Sequence, residues 1–203
     1  MNIFFDLDGT LIDSRLRLYS LFQQLVPQSK FSFDEYWNLK RNKINHATIL
    51  KQYFKFQENE INMFETIWQK LIEEEDLLML DKPFEGVTEY LISLKNRGFF
   101  LHLVTSRQFE INVFLQIIDF GWSNIFNHVL VSQQKAEKEE LIKSIMVENT
   151  TGSMIGDTGK DIVTGKLLGL KTVAVLSGFL NKPTLSTYNP DIIVDFVTDY
   201  IPL

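Results

Sequence analysis

Two aspartates, Asp6 and Asp8, follow a short apolar run at the start of the chain and form the pattern with the clearest chemical meaning. The run from Ile3 to Phe5 has the composition of a buried strand. On an extended backbone, side chains two residues apart point to the same side. Gly9 then allows a sharp turn. Because two neighbouring carboxylates repel each other unless a cation or a proton separates them, the pair predicts a functional site at the end of an N-terminal strand.

Further polar residues follow later apolar runs. Thr105 and Ser106 close one of them, and Asp157 directly follows another, with Asp161 four residues later. Each type also has an ordinary structural role, since Thr and Ser cap helices and an aspartate is favourable near a helix N-terminus. In a parallel sheet, however, ligands bind beyond the carboxyl ends of the strands, where all of these residues are expected to lie.

Short apolar runs alternate with helical patterns throughout the chain after Gly86. Buried strands that do not alternate in polarity, separated by helices, are typical of a parallel sheet covered on both faces. The sequence therefore predicts an α/β fold with a Rossmann-like, doubly wound parallel sheet. The strands are predicted at residues 3–5, 99–104, 128–131, 154–156, 172–175 and 192–194, and the helices at about 87–98, 107–120, 138–147 and 160–168.

The segment between the first strand and residue 82 has a different sequence pattern. Its apolar residues recur at helical spacing, and it contains no convincing strand. The apolar residues of its first helix are Leu16, Tyr19, Leu21, Phe22 and Leu25. Ser32 and Glu35 form a capping-box pattern that begins a second helix. Pro83 and Gly86 break the helical pattern at its end. We therefore predict a discontinuous core at 1–15 and 82–203, with an inserted all-helical cap domain at 16–81.

Composition excludes several classes of function. The formal net charge of -6 offers no basic face for a nucleic acid. The chain has no cysteine, which excludes disulfides and thiolate chemistry. The first apolar run is interrupted by Asp6 and lacks a preceding basic segment, so it is not typical of a secretory signal. No apolar stretch has the length of a membrane span, and we expect a cytoplasmic protein with no membrane partner.

The segment from Asp6 to Ser14, DLDGTLIDS, resembles the first motif of the haloacid dehalogenase-like (HAD) hydrolases. Most members of that superfamily are magnesium-dependent phosphatases. The resemblance implies that Asp6 is the nucleophile and a metal ligand. It implies that Asp8 is the general acid/base and also offers its backbone carbonyl to the metal.

Three further motifs follow in the order that this family requires. Thr105, at the end of its strand, would bind the transferring phosphoryl group together with the backbone N–H of Ser106. A lysine near the start of a later helix would offset negative charge; Lys138 matches this placement, and Lys135, in the preceding loop, is the alternative. In the segment from 156 to 161, GDTGKD, Asp157 would bind the metal. Asp161 would either bind the metal or anchor its water shell.

The acids implied by the resemblance would put up to four negative charges around one point, and a dianionic phosphate would add to them. Oxygen ligands with open positions suit Mg²⁺. We therefore expect a Mg²⁺-dependent phosphatase that hydrolyses a small phosphorylated metabolite through an aspartyl-phosphate on Asp6.

Two alternatives remain open at this point. A phosphosugar mutase of the β-phosphoglucomutase type shares all four motifs. A non-catalytic binding module on the same fold would be expected to have lost some of the acids, and none is missing. The substrate classes suggested by analogy are phosphoglycolate-type compounds and sugar phosphates. Polar residues of the cap that could contact the leaving group are Arg41, Lys43, Asn45 and His46.

Overall fold

A six-stranded sheet forms the centre of the molecule, in a computed structural model that describes residues 1–147 and 151–202. The strands are β1 (Asn2–Phe5), β4 (Phe100–Thr105), β5 (His128–Val131), β6 (Gly152–Gly156), β7 (Lys171–Val175) and β8 (Ile192–Val194). Their order in the sheet is β5-β4-β1-β6-β7-β8, and every neighbouring pair is parallel. Residues 148–150 and Leu203, which belong to the predicted core segment, lie outside the described residues.

The two faces of the sheet pack against different helices. Ile3 and Phe5 of β1 lie in a buried cluster with residues of α6 (Val87–Asn96) and α7 (Glu110–Asp119). Phe4 belongs to a separate cluster with Ile142 of α8 (Lys138–Lys143). Because strands buried on both faces need apolar residues at successive positions, β1 has the continuous apolar sequence from which it was predicted. The α/β class with a doubly wound parallel sheet is confirmed.

Most predicted core elements lie within a few residues of their expected positions. The helix predicted from 107 begins only at Glu110, and the one predicted to 147 ends at Lys143. α9 (Gly159–Leu167) follows β6 as expected. α10 (Lys182–Ser186) and a 3₁₀ turn (Val197–Asp199) were not predicted. No helix in the described part of the chain combines the length and the apolar character that crossing a membrane requires.

Five helices follow β1 in the chain and precede α6. They are α1 (Arg15–Leu25), α2 (Phe33–Arg41), α3 (His46–Phe54), α4 (Glu58–Leu71) and α5 (Glu75–Leu78). The first four share a buried cluster around Phe22, Tyr36 and Phe64 that is separate from the clusters of the sheet. The predicted capping box of α2 is present, with Ser32 and Glu35 bonded to each other's backbone N–H. The domain boundaries themselves stay a prediction.

The apolar face predicted for α1 was wrong at its first position. Leu16 is 46% exposed, whereas its neighbour Arg17 is buried and only 3% exposed. The buried face of α1 runs through Arg17, Leu18, Leu21 and Phe22. A charged residue thus lies at a position where helical periodicity predicts an apolar one. Asp8 and Asp81 neutralise the charge of Arg17.

A short antiparallel ribbon, which the sequence analysis missed, joins the two ends of the helical segment. β2 (Ile12–Asp13) enters that segment and β3 (Lys82–Pro83) leaves it. The two strands pair Ile12 with Pro83 and Asp13 with Lys82. The two ends of the helical segment therefore lie side by side.

Candidate active site

The carboxyl ends of the three central strands bring the predicted site residues together. β1 lies between β4 and β6, so Asp6, Thr105 and Asp157, at or just beyond their ends, face one cavity of about 320 Å³. Its charged lining residues are Asp6, Asp8, Arg17, Glu73, Arg107, Lys138, Asp157 and Lys160. This is the edge at which open parallel sheets bind ligands.

Asp6 is a buried carboxylate held by a lysine. Lys138 Nζ donates to Asp6 Oδ1 at 2.5 Å, and the hydroxyl of Thr10 lies 3.4 Å from Oδ2. Burial raises the pKa of Asp6 to about 7, although the charge of Lys138 opposes that rise. Asp6 Oδ2, with a single long hydrogen bond, is the oxygen that remains free to react or to bind a cation.

Lys138 is the first residue of α8 and is itself buried. It also donates to Asp161 Oδ1 at 2.6 Å. Burial alone would lower the pKa of Lys138, but the charges of Asp161 and Asp6 outweigh it and raise the pKa. Lys135, the alternative considered from sequence, is exposed; it donates to the side chain of Gln133 and does not line the cavity around Asp6.

Asp157 is fully buried, and one of its oxygens lacks a protein partner. Its Oδ2 accepts the backbone N–H of Phe179 at 2.5 Å, whereas Oδ1 has no hydrogen-bond partner among the described residues. Burial, together with the charges of Asp6 and Asp161, raises the pKa of Asp157 well above its ordinary value. Gly9, at φ +80°, and Gly178 pack so closely that a side chain at either position would collide with this carboxylate. The glycines keep that space open.

The geometry of three acids fits a divalent cation. Ligand oxygens of Asp6, Asp157 and Asp161 lie within 4.8 Å of one another. A buried carboxylate oxygen without a partner is costly, so Oδ1 of Asp157, which has none among the described residues, is well placed to bind a cation. Asp161 differs, because Lys138 occupies one oxygen and the backbone N–H and hydroxyl of Thr158 occupy the other. The donor set is all oxygen, which suits Mg²⁺.

Asp8 lies in the same cavity, but its carboxylate is bound by two arginines that the sequence analysis did not identify. Arg107 donates to it with Nε at 2.6 Å and Nη2 at 2.7 Å, and Arg17 donates to Oδ1. Burial would raise the pKa of Asp8, but the charges of Arg107 and Arg17 outweigh it and lower the pKa. Asp8 is therefore a carboxylate in this arrangement.

Asp81 completes a buried network of two arginines and two aspartates. Arg17 Nε lies 3.0 Å from Asp81 Oδ1, with the geometry of an ion pair rather than a hydrogen bond. Arg107 Nη2 and Gln116 Nε2 both donate to Asp81 Oδ2 at 3.0 Å. Breaking such a pair typically costs about 3–5 kcal/mol, because an uncompensated buried charge remains. Arg107 could have been suspected from its place after Thr105, but no sequence pattern indicates Arg17.

Glu73, also missed from sequence, ties the helical segment to the start of α7. Its carboxylate accepts the backbone N–H groups of Gln108 and Phe109 at 2.7 and 3.1 Å. Its backbone carbonyl accepts from the side chain of Asn112. A carboxylate at a helix N-terminus is favourable, and α7 begins directly after Gln108 and Phe109.

The remaining predicted residues divide into two groups. Thr105 is buried, Ser106 is exposed, and both line the cavity. The polar residues of the helical segment suggested for leaving-group contact lie elsewhere and do not line it. Arg41 donates to the carbonyl of Leu176, Lys43 to the hydroxyl of Tyr188, Asn45 caps α3, and His46 is hydrogen-bonded to Tyr36.

Comparison with known proteins gives the same family as the motifs. The sequence profile described as haloacid dehalogenase-like hydrolase matches residues 3–175. The chain is 25% identical to the pyrophosphatase PpaX of Oceanobacillus iheyensis, over 99% of this chain and 95% of that protein. It is 26% identical to a phosphoglycolate phosphatase of Aquifex aeolicus, with 99% and 95% covered.

Among solved structures, a haloacid dehalogenase-like hydrolase of Streptococcus pneumoniae superposes with a TM-score of 0.77. The superposition covers 96% of this chain and 93% of the other, at 19% identity. That likeness supports the fold.

Proposed function

The chain belongs to the haloacid dehalogenase-like hydrolase family, and we propose that it is a Mg²⁺-dependent phosphatase acting on a small phosphorylated metabolite. The observation that carries the proposal is the buried contact of Asp6 with Lys138, close to an oxygen of Asp157 that no described residue contacts by a hydrogen bond. A nucleophile, a cation and a carboxylate oxygen that could bind a metal thus lie in the lining of one cavity.

The chemical steps follow from these positions. Asp6 Oδ2 attacks phosphorus and displaces the leaving-group oxygen, which gives an aspartyl-phosphate. Lys138 and Thr105 stabilise negative charge on the phosphoryl oxygens. Water then attacks the phosphorus of this intermediate, releasing inorganic phosphate and restoring the Asp6 carboxylate.

Asp8 would move the protons in both half-reactions. As a carboxylate it has the form that accepts the proton of the attacking water. Protonating the leaving oxygen in the first half requires the acid form, which the hydrogen bonds from Arg107 and Arg17 oppose. The first half-reaction therefore requires Asp8 to exchange at least one of these contacts.

The metal would be held by Asp6 and Asp157, with the backbone carbonyl of Asp8 as a further ligand. Asp161 would either bind the metal or anchor its water shell. When bound, Mg²⁺ supplies positive charge to a phosphoryl oxygen and to the surrounding acids. The names of two relatives, a pyrophosphatase and a phosphoglycolate phosphatase, support a small phosphorylated substrate.

The test is phosphate release from a panel of phosphorylated metabolites with and without Mg²⁺, for the wild type and Asp6→Asn. We expect Mg²⁺-dependent release by the wild type and none by Asp6→Asn. Asp13→Asn is the matched control, because Asp13 pairs with Arg15 outside the cavity and should leave turnover unchanged. Isomerisation of a sugar phosphate in place of phosphate release would identify a mutase. Absence of both reactions in the wild type would refute the proposal.

A further inference from the structure

One cation of the cavity, Lys160, differs from the other three in having no counter-charge. Arg17 and Arg107 are paired with aspartates, and Lys138 is paired with Asp6 and Asp161. Within the described ranges, the side chain of Lys160 has neither a hydrogen-bond nor an ion-pair partner. Its charge is therefore available to a ligand.

Lys160 also lies between the reaction cavity and a second one. A neighbouring cavity of about 550 Å³ shares two lining residues with the first, Ser106 and Lys160. Both side chains are exposed, in contrast to the buried Lys138 and Asp6. A leaving group bound on this side of the reaction cavity would contact both side chains.

We propose that Lys160, with the hydroxyl of Ser106, binds an anionic group on the leaving-group side of the substrate. The substrates are then phosphoryl compounds whose leaving group itself carries a carboxylate or a phosphate. This inference rests on the proposed phosphatase function. Lys135 also lines the second cavity, but it donates to Gln133 and does not line the reaction cavity.

The chemistry of the relatives' named substrates agrees with this assignment. Pyrophosphate carries a second phosphate, and phosphoglycolate carries a carboxylate, each within a few bonds of the phosphorus that is attacked. An ammonium group binds either anion as a compact point charge with three donors. One lysine in this position could therefore recognise both classes, and a substrate with an uncharged leaving group would gain nothing from it.

The experiment compares 2-phosphoglycolate, pyrophosphate and 2-hydroxyethyl phosphate in the presence of Mg²⁺. The last compound matches 2-phosphoglycolate in length but has a hydroxymethyl group in place of the carboxylate. We expect the wild type to prefer at least one of the two anionic substrates to 2-hydroxyethyl phosphate. Lys160→Met should raise KM for that substrate about five- to tenfold, the range between an exposed ion pair and a charge-assisted hydrogen bond.

Three comparisons make this result specific. Lys160→Met should leave kcat/KM for 2-hydroxyethyl phosphate within about twofold of the wild type, since no ion pair is lost. Lys160→Arg, which keeps the charge, should retain most of the preference. Lys166→Met removes an exposed lysine from the same helix, away from both cavities, and should change nothing.

The inference is overturned if Lys160→Met affects all three substrates equally or leaves all of them unchanged. It is also overturned if the wild type hydrolyses 2-hydroxyethyl phosphate as efficiently as the better anionic substrate. A wild type that hydrolyses no phosphoryl compound at all would instead refute the proposed function on which the inference rests.

Discussion

Replacing Lys138 by methionine tests the electrostatic design of the site most directly. Its ammonium group lies 2.5 Å from Asp6 Oδ1 and 2.6 Å from Asp161 Oδ1, and all three side chains are buried. Methionine fills similar space without the charge. The substitution therefore leaves two neighbouring carboxylates with no cation between them.

The expected loss of stability follows from these distances. At an effective dielectric constant of about 20, each contact contributes roughly 6 kcal/mol of gross attraction. Most of that is offset by the cost of burying the ammonium, and measured losses for breaking buried pairs are about 3–5 kcal/mol. We expect a decrease of this size in the free energy of unfolding, together with a fall in kcat of about 10²–10³ from the lost charge stabilisation.

Urea unfolding and phosphate release measure the two effects. Lys135→Met is the control, because Lys135 lies in the preceding loop and does not line the cavity around Asp6; it should retain wild-type turnover. Addition of Mg²⁺ should still stabilise Lys138→Met, since the carboxylates of Asp6 and Asp157 remain. Turnover of Lys138→Met within about threefold of the wild type would refute the reasoning, as would an equal loss in Lys135→Met.

Two other substitutions test separate parts of the structure. Asp8→Asn cannot exchange a proton, so phosphate release should fall by about 10²–10⁴ while the circular dichroism spectrum stays native; near-normal turnover would contradict its role. His102 Nε2 donates to Asn2 Oδ1, its Nδ1 shares a hydrogen bond with Nδ1 of His128, and burial lowers its pKa to about 4 from 6.5. The unfolded chain therefore binds this proton more readily, and stability that is complete above pH 6.5 should be lost toward pH 4, by at most about 1.4 kcal/mol per pH unit. Urea unfolding at pH 4.5 and 7 should show a smaller loss for His102→Phe than for the wild type, and an equal loss would count against the assignment.

The sheet could be predicted because its strands are short and largely apolar, and all except β7 are followed directly by a polar residue. β5 and β8 have the predicted bounds, and β4 differs by one residue at each end. Lys138 was favoured over Lys135 because it begins a helix, and the structure places Lys138 beside Asp6. These features depend on local sequence, where periodicity and chain breaks are informative.

The arginine–aspartate network could not be predicted, because most of its contacts join residues that lie far apart in the sequence. Arg107 and Asp8 are 99 positions apart, and their contact leaves no local pattern. Arg17 was hidden by an apolar neighbour, since Leu16 seemed a natural member of the buried face and is instead exposed. Helical periodicity identifies the buried face of a helix from its apolar residues. It gives no indication of a buried charge whose partner lies elsewhere in the chain.

The β2–β3 ribbon has a consequence for how such a chain tolerates change. Because Asp13 and Lys82 lie opposite each other, the chain between them forms a long loop whose two ends are held together. Closing a longer loop adds little entropic cost, about 0.6 kcal/mol for each doubling of its length. Helical modules of quite different size could therefore be exchanged at this hairpin-like neck without moving the strand that presents Asp6.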